Sequence, residues 1–191
     1  WEKLFSERMC RHFMEDFGIQ TRVARYHNVY GPFGTFDGGR EKAPAAICRK
    51  VADALLSNEK EISIWGDGNQ TRSFTFIDDT IMGTVKLLES EFCNPLNIGS
   101  SEMVTINQLA QMAIEISGKN IKINNLGGQD FIDKYGFNCP TGVRGRNSDN
   151  MLYREQIGWE VSLPLKEGMM KTFSWINEQV NSSRYDNIDS A

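Results

Sequence analysis

Apolar residues follow two different periods along this chain, and the switches between them predict its elements. Phe5, Met9, Phe13 and Phe17 recur at every fourth position, with Leu4, Cys10 and Met14 beside them, which is the stripe of an amphipathic helix. Gly18 stands where a left-handed C-terminal glycine would end that helix. Ile19, Thr21 and Val23 then alternate with polar residues up to "RYHNVYGP", predicting a strand that runs into a loop. Pro44 suits a first helical position, and Ala45 to Leu56 read as a helix. "EISIWGDGNQTRSFTFIDD" gives two β-type runs about a turn at Asp67-Gly68, followed by a helix capped by Asp78 or Asp79 and running to about Leu88.

Further along, "PLNIGS" predicts a short strand. Thr105 and Gln108 form a capping-box pattern before Ile106, Leu109, Ala113 and Ile116, with Gly118 closing the helix. Ile121 and Ile123 predict another strand, and residues 127–142 read as loop. Ser148 or Asp149 can cap a helix that ends before Gly158, Glu167 to Val180 form a last amphipathic helix, and the remaining residues read as a frayed tail. Helices alternating with strands place the chain in the α/β class with a parallel sheet.

Composition narrows the chemistry. The 191 residues are 40% apolar and 24% charged with a net charge of -4, the balance of an ordinary globular protein. That charge argues against nucleic acid or an anionic membrane surface as partner, while leaving local basic groups free to meet a phosphate. Cys10, Cys48, Cys93 and Cys139 show no paired spacing, and His12 and His27 are too few and too far apart for a metal site, so reduced thiols, no metal and a cytoplasmic location are expected. No apolar run approaches the roughly 18 residues of a membrane span. The chain opens on Trp-Glu-Lys directly in a helical pattern, as the back part of a longer chain would.

Parallel sheets bind ligands beyond the carboxyl ends of their strands, so the loop after "TRVARYHNVYGP" is the first place to look. Asn28 is the first polar side chain there, as a ligand contact or as the cap of the turn at Gly31-Pro32. Gly31, Gly34, Gly38 and Gly39 let backbone come close to a ligand, and Arg40 and Lys42 bring positive charge to a helix N-terminus. Arg144 and Arg146 precede another helix start, and their forked guanidinium groups suit a diphosphate. Asp78 and Asp79 fit capping better than acid–base work, and Trp65 fits a hairpin core better than a stacking platform. No G-x-G-x-x-G follows a strand, so the phosphate-cradling turn of a dinucleotide fold is absent from this sequence.

"RYHNVYGP" after a helix, then "SFTFIDD", "PLNIGS" and an Arg-x-x-Asp at Arg146 to Asp149, resemble the extended short-chain dehydrogenases/reductases that modify nucleotide sugars. "GPFGTFDGGREKAPAAICRK", "IWGDGNQTRSFTFID" and "GVRGRNSDN" resemble the branch of that family that inverts GDP-mannose at two ring carbons in plant-type ascorbate synthesis. The resemblance implies the C-terminal part of a Rossmann-type fold: residues 1–39 as the last helix and strand of the NAD-binding domain, 40–181 as mainly the nucleotide-sugar-binding region with strand 96–98 returning to the sheet, and 182–191 as a tail. It implies NAD as cofactor, GDP-mannose as substrate and a homodimer at full length.

Residue by residue, the family's Tyr-x-x-x-Lys pair matches at Lys3, with the tyrosine two positions before Trp1. Lys3 would contact the cofactor and favour the tyrosinate, because a nearby cation lowers a phenol's pKa from about 10. Lys42 matches the lysine that delivers a proton to the sugar, opposite a cysteine from the segment preceding this chain. Asn28, Lys50, Gln70 and Arg146 match positions that hold the nucleotide diphosphate, with Arg72 nearby. A chain without the glycine fingerprint, tyrosine and cysteine is expected to be inactive alone. Another NAD-dependent nucleotide-sugar epimerase or dehydratase, and a non-catalytic sugar-nucleotide-binding remnant, are the alternatives.

Overall fold

The computed structural model describes residues 1–140 and 142–188, with side chains through 182. In chain order the elements are α1 (Glu2–Phe17), β1 (Ala24–Tyr26), β2 (Val29–Tyr30), α2 (Ala43–Ser57), β3 (Glu61–Trp65), β4 (Thr71–Ser73), β5 (Thr75–Phe76) and α3 (Ile77–Glu89). They continue with β6 (Leu96–Ile98), β7 (Met103–Thr105), α4 (Ile106–Ser117), β8 (Lys122–Leu126), α5 (Gly128–Tyr135), β9 (Gly145–Arg146), α6 (Met151–Ile157) and α7 (Leu165–Ile188). They form two units, one of Trp1–Val29, Ser73–Ser101 and Asn147–Ser162, the other of Tyr30–Arg72, Glu102–Arg146 and Leu163–Ala191.

In the first unit β1 and β6 pair in parallel, Ala24 opposite Leu96 and Tyr26 opposite Ile98. Leu87, Leu96, Ile98 and Tyr153 make its core, with Ala24, Phe92, Ile157 and Trp159 packed around them. The Tyr153 hydroxyl donates to the Gly83 carbonyl at 2.6 Å, and Trp159 occupies the space that a Cβ at Gly83 would need. Helix α1 buries none of its residues: Phe5 is 65% and Phe17 69% exposed, so the predicted stripe is present but uncovered. Gly18 ends it in the left-handed conformation, φ 68, as the sequence predicts. The strand begins at Ala24 rather than Ile19: its pairing with β6 starts at Ala24 opposite Leu96, with the Leu96 amide donating to the Val23 carbonyl at 3.0 Å. Asp78 and Asp79 lie in the first turn of α3 rather than at its cap, which is Phe76. There Asp79 accepts from the Ser162 amide and hydroxyl at 3.2 and 3.1 Å.

In the second unit α2 packs against α4 and α7; Ile47, Cys48 and Val51 of α2 are buried, as are Leu109 and Ala113 of α4 and Leu165, Met169 and Ile176 of α7. Burial pushes the Cys48 thiol up to about 12, so it is a core group and not a reactive one. Thr105 and Gln108 close the capping box at α4, with Gln108 N donating to Thr105 Oγ1 at 3.0 Å and Thr105 N to Gln108 Oε1 at 2.8 Å. The predicted hairpin about Asp67-Gly68 does not form. β3 pairs in parallel with β8, Glu61 opposite Lys122, whereas β4 lies between β7 and β9. Residues 128–135, expected as loop, are α5, and α7 extends past Val180 to Ile188; the last three positions of the expected tail lie outside the described residues, as does Thr141. Among the described residues no helix is long and apolar enough to cross a membrane.

Gly68 shows how tightly the turn after β3 is built. Its φ is 68, a Cβ there would lie 2.0 Å from Asn107 Oδ1, and the Asn107 amide donates to the Gly68 carbonyl at 3.0 Å. Gly68→Ala adds left-handed strain to overpacking and is expected to lower unfolding free energy by about 2–3 kcal/mol. An unchanged denaturation midpoint would show that Asn107 yields without cost.

Candidate functional site

The turn after β3 forms one wall of a cavity of about 770 Å³ in the second unit, within the range of small-molecule sites. Gly66, Asp67, Asn69 and Gln70 line one side, Asn125, Gly127 and Gly128 a second, and Cys139, Gly142 and Arg144 a third. The parallel pairing of β3 with β8 is what brings these segments together: the Gly66 amide donates to the Leu126 carbonyl at 2.9 Å just where the two strands end. Backbone bonds fix the other side, with the Thr71 amide donating to the Arg144 carbonyl at 3.0 Å and Thr71 and Arg72 in register with Gly145 and Arg146. Trp65, at the end of β3 just before Gly66, packs its ring 5.2 Å from Phe131 and 5.4 Å from Tyr135 of α5. Trp65 therefore belongs to an aromatic cluster with α5 and not to a hairpin core.

Polar groups in this cavity are unevenly satisfied. Gln70 Oε1 is buried and accepts no hydrogen bond among the described residues. Asp67 Oδ1 accepts from the Asn69 amide at 2.9 Å, and that bond, helped by the Arg144 charge, holds its carboxyl below the usual range. Arg72, outside the lining, is already engaged: it donates to its neighbour Thr71's carbonyl at 2.7 Å and to Val143's at 2.5 Å. Arg146, two residues beyond Arg144 and not itself part of the lining, is exposed on β9 and makes no ion pair among the described residues. Asp67, Asn69, Asn125 and Cys139 were invisible as site residues in the sequence, because a turn, a strand and a loop hold them and only the long-range pairing assembles them.

The other sequence-derived residues lie elsewhere. Lys50, on α2, is half-buried and donates to the Ser63 carbonyl at 2.7 Å; burial, and next the Arg49 charge, pull its pKa down. Lys42 is the N-cap residue of α2, exposed and without a side-chain capping bond, its backbone carbonyl accepting from the Ala46 amide at 2.9 Å. The loop that carries it is docked on two helices. Phe33 and Phe36 each pack 5.4 Å from Trp175, and Arg49 donates to the Phe36 carbonyl at 3.1 Å while facing Asp37 at 3.4 Å and Glu41 at 3.7 Å. Gly38 and Gly39, at φ 89 and 82, have no atom near the position of a Cβ and give the loop its open turn. In the first unit Lys3 is exposed on the first turn of α1, and Asn28 follows β1 at φ 46 with its amide donating to the Ser73 carbonyl at 2.9 Å.

Comparison with known proteins settles the family. Residues 1–99 match the model of the NAD dependent epimerase/dehydratase family. The chain belongs to that family. Its relatives include GDP-mannose 3,5-epimerase 1 of Oryza sativa subsp. indica, 46% identical over 190 residues, all of this chain and 46% of that protein. GDP-mannose 3,5-epimerase of Arabidopsis thaliana is 47% identical over 188 residues, 98% of this chain and 46% of that protein. Among solved structures, UDP-glucose 4-epimerase of Thermotoga maritima with UDP-glucose superposes with a TM-score of 0.76 at 25% identity, covering 93% of this chain and 52% of that one. The chain thus spans about half the length of the proteins it matches. As a member of the epimerase/dehydratase family it has the α/β class expected from its alternating elements and the Rossmann-type architecture that the resemblance implied.

Proposed function

We propose that this chain is the substrate-binding part of an NAD-dependent GDP-mannose 3,5-epimerase, which inverts C3 and C5 of the mannose ring to give GDP-L-galactose in the full-length protein. The observation that carries the reading is the cavity lined by Arg144 and by Gln70, whose buried Oε1 accepts no hydrogen bond among the described residues. A buried acceptor without a partner costs about 1–3 kcal/mol, and a ribose hydroxyl or base N–H of a bound nucleotide would offset that cost. Arg146 and the amide group of Gln70 hold the diphosphate, with Lys50 and Asn28 as further substrate contacts. The relatives named GDP-mannose 3,5-epimerase, at nearly half identity along the chain, support the choice of nucleotide sugar.

Lys3 fits a role toward NAD: its ammonium is exposed at the start of α1 and makes no ion pair among the described residues. NAD, when bound, supplies reversible hydride removal at sugar C4. Lys3 holds the cofactor and stabilises an anionic tyrosine by its charge. Lys42 holds the proton that is delivered to the ring carbon on one face of the sugar, since its ammonium makes no ion pair among the described residues and the loop around it is pinned by Arg49 and Trp175. Incubating the full-length protein with GDP-mannose and separating the nucleotide sugars tests the reading. GDP-L-galactose is the expected product; a dehydrated 4-keto sugar or unchanged substrate would overturn it.

A further inference from the structure

Asn28 sits just past the carboxyl end of β1 in the left-handed conformation, φ 46, which asparagine adopts more readily than most non-glycine residues. Its surroundings converge on Thr75, which is 1% exposed. The Thr75 hydroxyl donates to the His27 carbonyl at 3.0 Å and accepts from the Ser100 amide at 2.9 Å, so both its donor and its acceptor are used. The Thr75 amide donates to the Asn28 carbonyl at 3.1 Å, and the His27 amide donates to the Ile98 carbonyl at 3.1 Å. One buried hydroxyl therefore ties the His27–Asn28 segment to the loop after β6, at the adjoining ends of the parallel pair β1 and β6.

The Asn28 side chain is oriented by the same segment. Its Nδ2 donates to the carbonyl of Ser73 at 2.9 Å, while the Ser73 hydroxyl, fully buried, lies 3.2 Å from His27 Nδ1. A carbonyl only accepts, so the amide nitrogen faces Ser73 and Oδ1 is the atom left for another group. That atom takes a donor, which on a nucleotide sugar is a hydroxyl or a base N–H and not a phosphate oxygen.

We propose that Thr75 is a positioning residue for substrate: it locks the left-handed His27–Asn28 segment so that Asn28 Oδ1 accepts a donor group, a hydroxyl or base N–H, of the nucleotide sugar. The proposal rests on Asn28 being a substrate contact, as in the function proposed above. Thr75→Val keeps the shape and removes both hydroxyl bonds, and Thr75→Ser keeps them. In the full-length protein, calorimetric titration with GDP-mannose is expected to show Kd raised about tenfold by Thr75→Val and restored to within about twofold by Thr75→Ser, the scale of losing one oriented hydrogen bond. Asn28→Ala is expected to raise Kd by a similar factor, and the double variant Thr75→Val/Asn28→Ala to be no weaker than Asn28→Ala alone, because a residue acting through Asn28 has nothing left to orient.

Normal affinity in a folded Thr75→Val, or additive effects in the double variant, would overturn the positioning role while leaving Asn28 in the site. Normal affinity in Asn28→Ala would remove Asn28 from the site and the proposal with it. If Thr75→Val does not fold, Thr75→Cys, a weak hydrogen-bonding group of similar size, carries the same expectation.

Discussion

Replacing Lys42 by methionine in the full-length protein is expected to abolish inversion of GDP-mannose while sparing its binding. Methionine keeps most of the stem and loses only the ammonium, and Lys42 makes no side-chain capping bond that the change would break, so α2 should be as stable as before. The Arg49 contacts to Phe36, Asp37 and Glu41 that dock the loop are untouched as well. What disappears is the proton donor on one face of the sugar, a loss of about 100-fold or more for a positioned general acid. Proton exchange on the opposite face does not use Lys42, so in deuterated water the variant should exchange ring protons without accumulating epimer. Turnover within about threefold of the parent would make Lys42 an ordinary loop lysine by the same yardstick. Arg40 could not replace it, because a guanidinium does not release a proton near neutral pH.

Arg146→Ala is expected to weaken GDP-mannose binding by about 1.5–3 kcal/mol, the range for a hydrogen bond to a charged group. Arg146 is exposed on β9 and paired in register with Arg72, whose own guanidinium holds the Thr71 and Val143 carbonyls. The substitution thus removes a free charge without opening the sheet, and the fold should melt as before. An unchanged Kd by calorimetry would take Arg146 out of the diphosphate site. Arg146→Lys should recover only part of the affinity, since an ammonium cannot make the paired contacts of a guanidinium fork.

Local chemistry made some elements readable from the sequence and long-range pairing hid others. The Thr105–Gln108 capping box and the glycine stops at Gly18 and Gly118 are decided within a turn of chain, and they stand where the sequence places them. Alternation in "EISIW" marks a strand but says nothing of its partner. The adjacent run looked like the return of a hairpin, whereas β8, some 60 residues on, supplies the parallel neighbour. Helix α5 escaped notice because it buries one residue, Phe131, and is held by Trp65 and Phe137, aromatic contacts that no helical stripe records. The cavity was hidden for the same reason: Gln70 and Arg144 are 74 positions apart in sequence and meet only because Thr71 and Gly145 are strand partners. Lys42 and Asn28 could be singled out as candidates because each lies at the end of a local element, the start of α2 and the end of β1, while the roles proposed for them came from the family resemblance.

Deuterium incorporation into the sugar of GDP-mannose reads the central claim most directly. The full-length protein is incubated with GDP-mannose in deuterated water and the nucleotide sugars are followed by proton NMR. Loss of the C3 and C5 proton signals, together with the appearance of GDP-L-galactose deuterated at those carbons, is the result expected of a 3,5-epimerase. Retention of both protons, or product inverted at C4 alone, would contradict it.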